Sequence, residues 1–314
     1  MPGSGHGLLL LDKPKGITSR GCVDAVSRVL GVRRAGHAGA LDPMATGVLP
    51  VLLGKATRLS EYLMRTDKEY LFTAALGSRT DTGDAEGRVV EERVVPRLEA
   101  DTVRSLLGEF TGEIEQVPPA YSAKKVEGRR AYAIARAGGT PKLSPVTIRV
   151  HQLELLDLQP PRLVLRAVCS HGTYVRRLCE DLGDKLGCGA HVSRLRRVRV
   201  GPFSEEDCVG LKDLSESEEP LVFLRSMGDI VSFMPSITVG EEEALALMHG
   251  KTVLVKSAEE RPSEESAIVG SERALSEDER VRAVDRGGEL VAICLRTGSS
   301  LEALKPEKVF VLSE

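Results

Sequence analysis

The 314-residue chain has no uninterrupted apolar run of about 18 residues, the length a membrane-spanning helix requires. Its opening, MPGSGHGLLLLDKPKG, has only four leucines before Asp12, too few for the core of a secretory signal. A cytoplasmic protein is expected. None of the six cysteines (Cys22, Cys169, Cys179, Cys188, Cys208, Cys294) forms a C-x-x-C pair, which argues against a zinc site or a dithiol redox motif. Isolated within apolar patterns, they read as core residues. His37 and Asp42 share a loop, but no second His, Cys, Asp or Glu stands at ligand spacing, so no metal is expected. Two phosphate-loop lookalikes also fail. In GVLPVLLGKAT six residues rather than four separate Gly47 from Gly54, and Ala56 stands where a Mg²⁺-holding Ser or Thr is required. The glycines of GSGHG follow no strand, and no repeat recurs at a fixed period.

What is present describes a globular protein, 41% hydrophobic and 28% charged, with room for one large domain and a small one. The net charge of −3 conceals an asymmetry. Residues 120–200 hold sixteen Lys and Arg against six Asp and Glu, whereas residues 235–314 hold ten against sixteen. Gripping a polyanion needs local rather than total positive charge, so the basic third is a candidate nucleic-acid surface.

TSRGCVDAVSRVLG reads as a helix capped by Thr18 or Ser19, with Cys22, Val23, Val26, Val29 and Leu30 on one face and Gly31 just past its end. EYLFTAAL (69–76) reads as a strand leading into the turn GSRTDTGDAEG. LEADTVRSLLGEFTG reads as a second helix, facing inward through Val103, Leu106, Leu107 and Phe110. The proline-bounded segment 118–145 carries basic residues on an expected short helix and reads as a projecting, mobile insertion. VTIRVHQLELLDLQ and RLVLRAVCS suggest an antiparallel pair around Pro160-Pro161. TYVRRLCEDLGDKLG is amphipathic, with Val175, Leu178, Cys179, Leu182 and Leu186 inward. Beyond a boundary near residue 234, short β-like pieces (TVLVK, LVAICLR, KVFVL) frame the polar stretch 257–280, expected to be a loop.

The most suggestive stretch is HAGALDPMATGVL, 37–49. Asp42 precedes Pro43, which biases it toward extended backbone, and Gly36, Gly39 and Gly47 let the chain bend toward a ligand. An Asp in such a loop is commonly a turn residue. Yet HGTYVRR (171–177) offers Arg176 near a strand end, and a carboxylate paired with a guanidinium is held ionised and oriented, as a nucleophile requires.

DKPKGITS (12–19), GHAGALDPMATGVL (36–49), KEY (68–70), TDTGDAEG (80–87), QVPPAYSAKKVEGRRAYAIARAG (116–138), SHGTYVRRLCEDLG (170–183) and GCGAHVSRLRRVRVGPF (187–203) occur in one order. Together they resemble the bacterial TruB tRNA pseudouridine synthases across roughly residues 8–205. The resemblance implies an α+β (mixed α/β) pseudouridine synthase fold. It has a largely antiparallel central sheet in a catalytic domain spanning 6–234, a thumb insertion at about 118–145, and a small β-rich PUA-like domain spanning 235–314.

It further implies isomerisation of a tRNA T-loop uridine (position 55 in standard tRNA numbering) to pseudouridine, by a monomer with no cofactor, metal or obligate protein partner. By resemblance Asp42 is the nucleophile, Tyr70 stacks on the uracil and helps remove its C5 proton, and Arg176 pairs with Asp42. His37 holds the flipped-out loop, Tyr174 and Leu195 line the uracil pocket, and Lys13 belongs to the opening motif. Lys124, Lys125, Arg129, Arg130, Arg194, Arg196, Arg197 and Arg199 are the expected RNA-backbone contacts. The rivals are a guide-RNA-dependent synthase, a non-catalytic tRNA-binding protein, and a nucleoside hydrolase using Asp81 or Asp84 as a second carboxylate.

Overall fold

The computed structural model describes residues 5–122, 124–126, 128–255, 280–297 and 302–310; the predicted polar loop 257–280 lies outside them except for Arg280. The chain opens with β1 (Gly7–Lys13), helix α1 (Ser19–Val29), β2 (Ala35–His37) and β3 (Thr46–Leu53). A short helix, α2 (Ser60–Met64), leads to β4 (Lys68–Leu76), β5 (Ser78–Thr80) and β6 (Val89–Glu92). Helix α3 (Ala100–Gly108) and β7 (Gly112–Gln116) precede an insertion made of β8 (Lys125–Val126), β9 (Arg129–Arg130) and α4 (Ala131–Arg136). Then come β10 (Val146–Gln159), β11 (Arg162–Cys169), α5 (Val175–Lys185), β12 (Ala190–Val200), β13 (Phe203–Ser204), β14 (Val209–Gly210) and α6 (Leu211–Glu216). The remainder is β15 (Ser236–Thr238), α7 (Glu241–Met248), β16 (Val253–Val255), β17 (Arg280–Val284), β18 (Leu290–Thr297) and β19 (Glu302–Val309).

The central sheet runs β14-β1-β3-β12-β4-β11-β10-β7, with β2 beside β3 and β13 beside β12. It is mixed but largely antiparallel, the parallel pairs being β1–β14 and β3–β12. The mixed α/β class and the antiparallel bias agree with the sequence reading. So do the helices: Thr18 caps α1 by accepting from the Gly21 N–H at 3.0 Å, and Gly31 follows at φ +67°. Val103 and Leu107 of α3, and Val175, Leu178, Cys179 and Leu182 of α5, are buried against β4, β10, β11 and β12. The opposite part of the sheet is covered by α1, whose Cys22, Val23 and Val26 meet Leu9, Leu11, Leu49 and Val51. All described cysteines are free thiols, and five are buried.

A second, five-stranded sheet runs β15-β17-β18-β19-β16. Leu290, Ile293 and Phe310 pack into one apolar cluster with Leu8, Leu52, Leu59 and Leu63. Arg58 adds a 2.6 Å hydrogen bond to the Val309 carbonyl and lies over the Phe310 ring. The two sheets are thus joined through side chains rather than by the chain alone.

The basic residues of the insertion differ from expectation. Lys125, Arg129 and Arg130 belong to the two-stranded ribbon β8–β9, and Lys124 precedes it; the helix that follows carries only Arg136. Gly128, at φ +83°, makes the tight reversal between these strands possible, and that local turn prevails over the helical reading.

Candidate active site

Asp42 lies in the connection between β2 and β3, which is held from several directions. The buried Ser19 hydroxyl donates to the Leu41 carbonyl at 3.0 Å and accepts the Leu41 N–H at 2.8 Å. The Gly16 N–H donates to the Pro43 carbonyl at 2.8 Å. Lys13 has no solvent exposure, and its ammonium donates to the carbonyls of Pro14 (3.0 Å), Pro43 (3.1 Å) and Ala45 (2.6 Å). Three carbonyls match the three N–H donors, the condition under which a buried cation is tolerated. Burial lowers the Lys13 pKa, while the neighbouring Asp42 charge opposes that shift.

Arg197, 1% exposed, closes the loop from below by donating from Nε to Val48 (2.9 Å) and from Nη2 to Gly39 (3.0 Å). This packing requires Gly47, which pairs in parallel with Arg197 at φ +100°. A Cβ there would lie 2.2 Å from the Arg197 carbonyl oxygen. Gly47→Ala is therefore expected to destabilise the protein by roughly 3 kcal/mol, from left-handed strain plus overpacking. Chemical denaturation of the two proteins would measure this, and an unchanged midpoint would contradict it.

The nucleophile candidate meets its partner through a two-point contact. Arg176, in the first turn of α5, presents Nε to Asp42 Oδ2 at 2.8 Å and Nη2 to Oδ1 at 3.2 Å. The other donors are engaged too: Nη1 reaches the Thr82 carbonyl at 2.7 Å and Nη2 the Tyr121 carbonyl at 2.8 Å. Asp84 adds a second carboxylate 3.7 Å from Nη1. The guanidinium is 5% exposed while the Asp42 side chain retains 36%, so the arginine lies beneath and the carboxylate faces the opening. Burial pushes the Asp42 carboxyl above its ordinary value; Arg176 pulls it down and Asp84 pushes it further up.

Tyr70 occupies the rung of β4 between Ala167 of β11 and Arg197 of β12. Burial raises its phenol pKa, against the pull of the Arg197 charge, so the ring is neutral near pH 7. Leu195, opposite Phe72, is buried in the same apolar cluster that Tyr70 packs against. Tyr174 is the residue immediately before α5, with no capping hydrogen bond from its side chain. His37 stands at the end of β2; its Nδ1 is buried with no hydrogen-bond partner among the described residues. Burial, then the charges of Arg197 and Arg20, lower its pKa and keep the ring neutral near pH 7.

Asp42 and Arg176 are thus paired, Tyr70 is close enough to feel the Asp42 charge, and Leu195 belongs to the apolar cluster against which Tyr70 packs. The expected RNA-contact arginines divide. Arg194 is exposed, as are Arg129 and Arg130, while Lys124 is half-buried. Arg196 forks onto both oxygens of Asp12 (3.0 and 3.1 Å) and reaches Glu205 at 2.6 Å; Arg199 pairs with Glu69 at 3.1 Å. Their charges are matched inside the protein. Arg197 points inward and holds the Asp42 loop instead of facing a polyanion, a correction to its reading as an RNA-backbone contact; Lys13 of the opening motif is likewise turned onto carbonyls of that loop rather than toward a substrate. Sequence reasoning assigned no part in the site to Ser19 or Gln116, and weighed Asp84 only as a hydrolase carboxylate; all three stand in motifs that carried the resemblance, but no local signal told their contacts. Among the described residues no group of three or more His, Cys, Asp or Glu side chains could hold a metal ion, and no helix is long and apolar enough to cross a membrane.

Comparison with known proteins places this geometry in context. Residues 27–175 match the model of the N-terminal domain of TruB family pseudouridylate synthases, and residues 176–224 that of the tRNA pseudouridylate synthase B C-terminal domain. The chain is 43% identical over 253 residues to the tRNA pseudouridine synthase B of Aquifex aeolicus, covering 80% of this chain and 88% of that protein. It is 42% identical over 264 residues to the Nitrosococcus oceani protein of the same name, covering 82% and 85%. Among solved structures it superposes on a chain of a Cbf5-Nop10-Gar1 complex with a TM-score of 0.76 and 28% identity, covering 98% of this chain and 85% of that one.

Proposed function

The chain belongs to the TruB family of pseudouridine synthases, isomerases acting on RNA, and on that premise we propose that it converts the T-loop uridine at position 55 of tRNA to pseudouridine. It does so as a cytoplasmic monomer without guide RNA, partner protein or cofactor. Residues 6–234 are its catalytic domain, with 118–145 as a thumb against the RNA, and residues 235–314 form a PUA-like domain. The observation that carries the proposal is the open Asp42 carboxylate forked onto the buried Arg176 beside Tyr70.

The reaction breaks the N1–C1′ bond, turns the uracil and joins C5 to C1′. The target base is inside a folded loop, so it is first flipped out, at a cost of a few kcal/mol that contacts to the RNA backbone offset. The ionised Asp42 then acts as the nucleophile at the uracil ring or at C1′, or takes the C2′ proton. Arg176 keeps it ionised and fixes its direction of approach. The Tyr70 ring and Leu195 provide an apolar wall that retains the detached base while it turns. Tyr70 helps remove the C5 proton, and Arg194 and the ribbon carrying Arg129 and Arg130 supply positive charge at the surface.

Likeness to a chain that assembles with Nop10 and Gar1 would fit a partner-dependent alternative, but the higher identity, 42–43%, is to proteins named for tRNA. Mapping pseudouridine in an unmodified tRNA transcript treated with the purified protein alone separates the two. One modified position, in the T loop, is expected. Modification elsewhere, or only after adding guide RNA and partner proteins, would refute the assignment.

A further inference from the structure

Gln116 ends β7, and its partner across the ladder is Val146, the first residue of β10. The 118–145 insertion therefore leaves and rejoins the sheet at this rung. The Gln116 side chain is 1% exposed and is directed at the start of α5. Its Nε2 donates to the Tyr174 carbonyl at 3.2 Å, and its Oε1 accepts the Tyr174 N–H at 2.8 Å. That carbonyl also accepts the Leu178 N–H at 3.1 Å, the first hydrogen bond of the helix. One buried amide thus fixes both backbone polar groups of the residue just before α5, two positions before Arg176.

Arg176 in turn reaches back to the insertion through the Tyr121 carbonyl at 2.8 Å. Gln116, Tyr174, Arg176 and Tyr121 close a ring, completed by the chain from 116 to 121, and Asp42 is fastened to it by Arg176. The Ser122 hydroxyl is 4% exposed and has no partner among the described residues. A buried hydroxyl left unbonded is costly, which favours an arrangement that bonds it.

We propose that Gln116 is a positioning residue for the isomerisation: its amide fixes the backbone of Tyr174 so that Arg176 meets Asp42 edge-on, and it transmits the position of the insertion to that pair. The inference rests on the reading of Asp42 as nucleophile. An ordinary helix start is capped by a Ser, Thr, Asp or Asn side chain; here Tyr174 makes no side-chain cap, and the two-point grip comes from the strand that roots the insertion. A two-point amide grip defines both the height and the rotation of the helix start, which a single bond does not. Displacement of a reacting group by about 1 Å can cost a hundredfold in rate.

Two variants test this in the full-length protein. Gln116→Met keeps the volume and removes both hydrogen bonds. Gln116→Glu keeps the acceptor for the Tyr174 N–H but turns a carboxylate oxygen toward the Tyr174 carbonyl. Single-turnover rate at saturating tRNA, tRNA affinity and melting temperature are measured together. The rate per folded molecule is expected to fall by roughly ten- to a hundredfold in both, with affinity held within about twofold. Either variant, folded, turning over at the wild-type rate would overturn the inference, as would a loss of affinity as large as the loss of rate. Wild-type protein that makes no pseudouridine on the same tRNA would instead overturn the function on which it rests.

Discussion

Asp42→Asn is expected to lower pseudouridine formation by roughly 10⁴-fold or more, with the fold and tRNA binding intact. The amide has the shape of the carboxylate but cannot act as the nucleophile. Removal of a buried charge usually destabilises by stranding its partner. Here Arg176 keeps the Thr82 and Tyr121 carbonyls, and Asp84 lies 3.7 Å from it. The pH dependence carries a second expectation. Burial holds the Asp42 carboxyl above its ordinary value, so wild-type activity should fall, as pH decreases, at a pH above the usual carboxylate range near about 4. For stability the sign is opposite. A carboxyl whose folded pKa exceeds its unfolded value contributes most when protonated, and that contribution is lost as pH rises through the folded pKa. The melting temperature of Asp42→Asn relative to wild type should therefore rise from acidic to neutral pH. Single-turnover rates and melting curves across that range check both; a difference that falls toward neutral pH would contradict the account.

Arg176→Lys should cost about 10²–10³-fold in rate while leaving tRNA affinity close to wild type. A guanidinium presents donors along two edges, and its hydrogen bonds depend on that spread: to both Asp42 oxygens, Thr82 and Tyr121. An ammonium places its donors on one atom and cannot span them. Charge is conserved in the substitution, so a rate loss isolates geometry from electrostatics. Affinity is unaffected because the side chain is 5% exposed and lies under the carboxylate rather than at the surface. Rapid-mixing product assays with filter-binding measurements make the separation. An equal loss in rate and affinity would mean that Arg176 touches the RNA directly.

Local signals in the sequence were sufficient for elements whose causes are local. The apolar spacing of α1, α3 and α5, the Thr18 cap and the β10–β11 pair are all visible within a dozen or so residues, and the structure has them where the pattern puts them. The site was legible for a different reason, since Asp42, Tyr70 and Arg176 sit in separate motifs whose common order carried the resemblance. What local reading could not supply was pairing at a distance. Arg196 and Arg199 read as free cations because Asp12, Glu205 and Glu69 reach them only through the sheet. Arg197 read as an RNA-facing charge, and Lys13 had no assigned contact, because the carbonyls that satisfy them come from the loop they hold. Gln116 opens one of the motifs that carried the resemblance, but nothing gave it a role, as a polar residue ending a strand is ordinary until its amide is found against Tyr174. On the β8–β9 ribbon a glycine turn outweighed a helix-like run of basic residues.

The most direct test of the central claim is pseudouridine formation in an unmodified tRNA T-arm stem-loop, with chelator present and no other protein or RNA, by wild type and Asp42→Asn side by side. The account predicts stoichiometric product from wild type and none above background from the variant, although both bind the RNA. Product from both proteins, or from neither when each is folded and RNA-bound, would contradict it.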